Sequence, residues 1–251
     1  MSDLLEINHD LLGLTSIFVV CLFTFILASS STNLSKILFV ALVVRVFAIL
    51  YGHYISPLPD STADARTFER IAWTHALDYH QGEKTFSDYF EGPSSKFLSH
   101  ILSIAYYFFG RSVLMAQSFS LLAGIGCVFV GYKIANLLWG HSVANKAGWA
   151  ISLFPSLVLY SALVMREVYI SFFLLLALYG IVVWSKTEKI SYIFVALIGF
   201  LGAVFFHGSM IIGAIIFVII IGFSSLKKIF IGLIKMKYQK NYKIFTYLSI
   251  F

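Results

Sequence analysis

Carboxylates are scarce in this chain, and they are gathered. Of its twelve Asp and Glu residues, seven fall between Asp60 and Glu91: Asp60, Asp64, Glu69, Asp78, Glu83, Asp88 and Glu91. Only Glu167 and Glu188 follow. A carboxylate within hydrogen-bond reach of a hydroxyl can act as its general base. Asp60 and Asp64 are the candidates for that role, in the run Pro57-Leu58-Pro59-Asp60-Ser61-Thr62-Ala63-Asp64. Each also has a plain structural use: Ser61 to Asp64 fits a capping box, and Asp60 after a proline suits a turn. Arg166-Glu167 is a second charged site. A charged pair at the end of an apolar run either serves a site or simply snorkels to water. His207, just before Gly208, is a third candidate, although a lone histidine in a turn is more often structural than catalytic.

The elements that must position these groups are apolar. The chain is 59% hydrophobic and 12% charged, with a net charge of +6. A soluble domain carries about 25% charged residues, so a water-soluble globule and a disordered chain are both excluded. There is too little polar face for a nucleic-acid binder, so nucleic acid is not an expected partner. A membrane-crossing helix needs about 20 apolar residues. Seven runs approach that length, near residues 11–29, 37–55, 112–131, 147–165, 168–185, 190–206 and 209–224. The apolar stretch Phe97 to Gly110 is shorter and suits a helix lying at the interface. The expected fold is therefore all-α, a polytopic helical membrane protein of about seven transmembrane helices. One domain covers 1–224, with a large first external loop at about 56–111 bearing interfacial helices. Residues 225–251 form a basic amphipathic tail.

Lysine placement sets the orientation, because cytoplasmic loops favour Lys and Arg. If Phe97–Gly110 does not span, eleven lysines fall inside: Lys36, Lys133, Lys146, Lys186, Lys189 and six in the tail. Six basic residues fall outside: Arg66, Arg70, Lys84, Lys96, Arg111 and Arg166. Arg45 lies within a span. If Phe97–Gly110 did span, ten of those lysines would move outside. The N-terminus is then external and the C-terminus cytoplasmic, with the first run a true span rather than a cleaved signal. A helix starting near Ser61 would turn Phe68, Ile71, Ala72, His75 and Tyr79 toward the membrane. Cys21 and Cys127 fall within spans and show no metal spacing. Ala123, Cys127 and Gly131 form a small-residue stripe for close helix approach. Asp60, Asp64, Arg166, Glu167 and His207 are all expected at one face, brought there by three loops far apart in sequence.

Three stretches carry a resemblance to the GT-C superfamily of membrane glycosyltransferases. Within it the likeness is to the bacterial branch related to protein mannosyltransferases and to aminoarabinose and lipopolysaccharide-core sugar transferases. The first stretch is Asp64-x-x-x-Phe68-x-x-x-Ala72. The second runs from Phe109-Gly110-Arg111-Ser112 to Leu138-Trp139-Gly140 and Ala144. The third runs from Pro155 through Tyr160 to Arg166-Glu167. The likeness around them runs from about residue 35 to residue 210. The resemblance implies a donor of polyprenyl-phosphate-linked sugar and a glycan, lipid or protein acceptor. It also implies work at the external face of a bacterial inner membrane, among membrane lipids. It matches Asp64, with Asp60 competing, to the catalytic acid of the first loop, and Glu167 to a second acid in the next external loop. Relatives often carry an acidic pair where this chain has Asp64-Ala65, and commonly have more spans and a further external domain.

On this reading Asp64 is the base and Glu167 an orienting group, Arg166 holds the lipid phosphate through parallel N–H bonds with Arg66 and Arg70 as weaker candidates, and His207 donates to sugar or phosphate. No cofactor is read with certainty from the sequence; Asp64 and Glu167 leave room for a divalent cation, but no ligand spacing demands one. The alternatives are a polysaccharide polymerase or ligase, and a non-catalytic flippase or assembly subunit for lipid-linked sugars. A secondary transporter ranks last, because only Arg45 is mid-span and no repeat is visible.

Overall fold

A computed structural model describes residues 2–29, 32–87 and 96–219, with side chains from His9 onward. Every regular element in them is helical. Nine α-helices run in order: α1 Ser2–Ala28, α2 Thr32–Tyr54, α3 Asp64–Gln81, α4 Phe97–Phe109, α5 Val113–Trp139, α6 His141–Leu153, α7 Pro155–Ala162, α8 Arg166–Thr187 and α9 Ser191–Phe206. Four segments are long and apolar enough to cross a membrane: His9–Ala28, α2, α5 and α8. These make the chain a helical membrane protein. A separate unit begins at Met210, and its described part is one short helix over residues 211–219. The rest of the last apolar run and the tail at 225–251 lie outside the described residues.

The remaining helices form one bundle around α5, whose most apolar stretch is 72% buried against 28%, 39% and 33% for the other three. Contacts along α5 fix the direction of each neighbour. Gly13 of α1 meets Leu114 and Met115 at the start of α5. Asp10 accepts from Tyr54 at 2.9 Å and lies 3.3 Å from His53, at the end of α2. Gln117 meets Ala162, Gly124 meets Ser161 and Gly131 meets Ile151, so α6 and α7 run back along α5. Ser120 bonds Tyr169 at 3.1 Å near the start of α8, and Lys186 near its end donates to Leu137 O. α9 returns beside α8 until Phe206 stacks on Tyr169 at 4.8 Å.

Thus α2 ends and α5 begins at the same end of the bundle, and α3 and α4 lie between them in the chain. At 13 residues, α4 is too short to cross. Two signals form the turn from α4 into α5. Ser112 is extended and accepts from Met115 N–H at 3.2 Å, capping α5. Gly110, at φ +90°, lets α4 stop two residues earlier, as Gly140 at φ +82° does for α5.

Two expectations are corrected. The run at 147–165 is not one helix. Pro155 has no N–H for Ile151 O and cannot continue α6, so the chain breaks at Phe154 and resumes as α7. Arg45, fully buried in mid-α2, fills the gap. Its Nη1 donates to Ser152 O at 2.8 Å and Ala41 O at 3.1 Å, its Nη2 to Ile151 O at 3.5 Å and its Nε to Ser161 Oγ at 3.2 Å. The second correction concerns α3. It starts at Asp64 rather than near Ser61, Ala63 is its N-cap, and no side chain caps it. The Ser61–Asp64 capping box is not made. The buried face of α3 is Ala65, Glu69, Ala72, Ala76 and Tyr79, which shares Ala72 and Tyr79 with the expected stripe and leaves Phe68, Ile71 and His75 half-buried. Its alanines let α4 approach, so Ala72 and Ala76 pack with Leu98, Leu102 and Tyr106.

Candidate functional site

At the α3–α4 end, α3 lies over the corner where α4 turns into α5. Glu69 is the buried charge at that corner, its side chain 7% exposed. Arg111 grips it from both sides, Nε to Oε1 at 2.9 Å and Nη2 to Oε2 at 2.9 Å. Tyr106 adds its hydroxyl at 3.3 Å from Oε1 and 3.2 Å from Ser112 O. Burial, and then the Glu69 charge, push the Tyr106 phenol above its ordinary range, so it stays a donor. Arg111 also lies over the ring of Trp73 at 5.6 Å. Bidentate geometry and a third donor make this a fixed strut.

Beside the strut is a cavity of about 340 Å³, bounded by α2, α3, α5 and the turn at Leu163-Val164. Its polar wall holds His53, Ser61, Thr62, Arg66, Glu69, Arg111 and Gln117. A second hollow of about 290 Å³ shares Thr62, Arg66, Glu69 and Arg111 and adds Thr67 and Arg70. Arg66 and Arg70 make no ion pair among the described residues. Three guanidinium groups therefore face one carboxylate, leaving an excess of positive charge suited to an anion.

The residues singled out by sequence divide into groups. Arg66 and Arg70 line the cavities. Arg166 sits on the face of Phe68 at 5.8 Å, with its Nε 3.5 Å from Glu167 Oε1. Glu167 Oε2 is buried with no partner among the described residues. Asp64 is exposed at the head of α3, one residue before Ala65, which lines the larger cavity. Asp60 is exposed and holds a left-handed φ of +62°. Neither aspartate lines either cavity. His207 is half-buried at the end of α9, directly after Phe206, which packs on Tyr169 and Phe97. All of them lie at the α3–α4 end, but only Arg66 and Arg70 meet in a cavity. Among the described residues, no three His, Cys, Asp or Glu side chains come together to hold a metal ion.

Sequence reasoning passed over Glu69, Arg111 and Gln117. A signal for Glu69 was present: it shares a helical face with Ala65, Ala72 and Ala76. An acid inside a small-residue face must be buried against a neighbour and needs a cation. Comparison with protein-family models, curated proteins and solved structures gives no match.

Proposed function

We propose that the chain is a glycosyltransferase that moves a sugar from a polyprenyl-phosphate-linked donor to an acceptor at the external face of the membrane. The observation that carries the reading is the cationic cavity. It opens at the end of an apolar bundle, under an amphipathic surface helix, where a lipid phosphate and a polar acceptor could meet. In the reaction the acceptor oxygen attacks the anomeric carbon, and the bond from that carbon to the phosphate oxygen breaks. The lipid phosphate leaves with the electron pair. The acceptor proton passes to a carboxylate, assigned to Asp64 beside the cavity rim. Arg66 and Arg70 balance the phosphate charge, with Arg166 and His207 further along the same end. Glu69 and Arg111 position α3 over the cavity.

A second reading is favoured by one observation. Glu69 is the cavity's own carboxylate, and Arg111 and Tyr106 occupy both of its oxygens. A flippase or assembly subunit needs no base, and on that reading the cavity only binds. The test is transfer by the full chain in nanodiscs, from radiolabelled polyprenyl-phosphate sugars, with release of polyprenyl phosphate as the readout. Asp64→Asn is expected to lower transfer by about 10²–10⁴-fold, the usual range for a general base, while keeping its melting curve. Full transfer by that variant removes Asp64 as base. No transfer from any donor by the parent chain supports the binding protein. Product length separates a single-sugar transferase from a polymerase.

A further inference from the structure

Gln117 is a polar residue on the most buried helix of the bundle, and it is 6% exposed. Its Nε2 donates to Ala162 O at 2.8 Å. A carbonyl can only accept, so the amide cannot be turned over, and Oε1 is fixed on the other side. That oxygen is buried without a partner among the described residues, and Gln117 lines the larger cavity. Ser61 lines the same cavity, and its Oγ is likewise buried and unpartnered among the described residues. Buried acceptors are ordinarily satisfied, so Oε1 calls for a donor from whatever fills the cavity. A cationic donor is disfavoured, because Arg66 and Arg111 outnumber Glu69 there. A neutral hydroxyl on an otherwise anionic molecule meets both demands.

We propose that Gln117 and Ser61 form a hydroxyl-recognising subsite, and that the ligand is a phosphorylated polyol whose phosphate faces Arg66. Gln117 Oε1 accepts from one sugar hydroxyl, and Ser61 Oγ bonds another. In naming that polyol as the transferred sugar, the assignment rests on the transferase reading above; the subsite itself does not. A sugar hydroxyl offered to a buried acceptor is worth about tenfold in affinity, the scale of one hydrogen bond.

The experiment measures affinities of the full chain in nanodiscs for two pairs of probes. One pair is glucose 1-phosphate and inorganic phosphate; the other is decaprenyl-phosphate-glucose and decaprenyl phosphate. The expected result is that, in at least one pair, the sugar-bearing member binds about tenfold tighter. The pair that shows it tells a free phosphate source from a lipid one. Gln117→Met removes the acceptor at similar volume and is expected to bring the ratio toward one; Ser61→Ala is expected to lower it partly. A ratio of one in the parent chain overturns the subsite, and so does an unchanged ratio in both variants. If Gln117→Met does not fold, the parent ratio and Ser61→Ala decide. Sugar discrimination without transfer from any donor would sink the transferase reading alone. Transfer with a ratio of one would sink the subsite alone.

Discussion

Glu69 and Arg111 hold one another, but the two ends of the pair are unequally placed. The Glu69 side chain is 7% exposed and that of Arg111 is 38% exposed. Removing Arg111 strands a buried carboxylate, whereas neutralising Glu69 leaves a guanidinium that water can reach. Arg111→Met is therefore expected to cost about 3 kcal/mol, the low end for breaking a buried pair. Glu69→Gln keeps an acceptor for Tyr106 and Arg111 and is expected to cost about 1 kcal/mol. Unfolding curves in detergent measure both, and equal losses would contradict the asymmetry. His100 on α4 gives a prediction in pH. It is 6% exposed, with Nε2 3.3 Å from Tyr79 OH and its ring against His75 at 5.7 Å. Burial, then the nearby His75 and Lys84, push it down to about 3, and burial and Lys84 lower His75 too. The unfolded ring titrates near its ordinary ~6.5. The folded value lies below the unfolded one, so the stability is present above about pH 6.5 and is lost as pH falls from there toward 3. His100→Asn is expected to flatten the decline between pH 6.5 and 5, above the carboxylate range, and an unchanged slope would count against it. The residue types at the bundle end were legible in the sequence, Arg66 and Arg70 among them. Which carboxylate would be buried was not, because the apolar stripe through Phe68 looks as good on a helical wheel as the alanine face that contains Glu69.

Helices were legible wherever apolar length sufficed, as in α1, α2, α5 and α8. α4 was legible as a short apolar helix from the length of its run. The broken fourth run was not, because a proline inside an apolar stretch can kink a helix or sever it, and the neighbour decides. Here the neighbour is Arg45. A guanidinium at that depth is costly unless its donors find acceptors, and the break supplies two of them, Ile151 O and Ser152 O. Charge and break therefore depend on each other. Arg45→Met is expected to cost 3 kcal/mol or more, on the order of other losses of a buried charged hydrogen-bonding group. Pro155→Ala restores an N–H for Ile151 O and lets α6 run on into α7. In that background the cost of Arg45→Met is expected to shrink by about 1 kcal/mol, one hydrogen bond's worth. Unfolding of the four proteins in the cycle measures the coupling, and additive costs would show that Arg45 does not serve the break.

At the scale of the whole molecule, the sorting of charge read from sequence reappears as geometry. Lys36, Lys133, Lys146, Lys186 and Lys189 belong to the ends of α2, α5, α6 and α8 that lie away from α3 and α4, or to the turn beside them. Arg66, Arg70, Lys84, Lys96, Arg111 and Arg166 belong to the α3–α4 end. The separation was legible because a short loop can hold lysines on one side only, and a non-spanning α4 keeps the later loops in phase. Contacts alone fix which loops share an end; which end faces the cytoplasm is a proposal that the lysine bias supports. That step can be tested without any substrate. Glu83 and Lys189 are exposed and stand at opposite ends, while Cys21 and Cys127 lie in apolar helices, half-buried and buried. In sealed right-side-out vesicles, a membrane-impermeant maleimide is expected to label a Glu83→Cys variant at once. It should label a Lys189→Cys variant only after detergent, with the parent chain unlabelled in both conditions. The reverse pattern would put the cationic cavity on the cytoplasmic side, where soluble sugar nucleotides are also at hand as donors. The external-face part of the transferase reading would then fall, while Arg66, Arg70 and Gln117 would face the same kind of anionic, hydroxyl-bearing ligand.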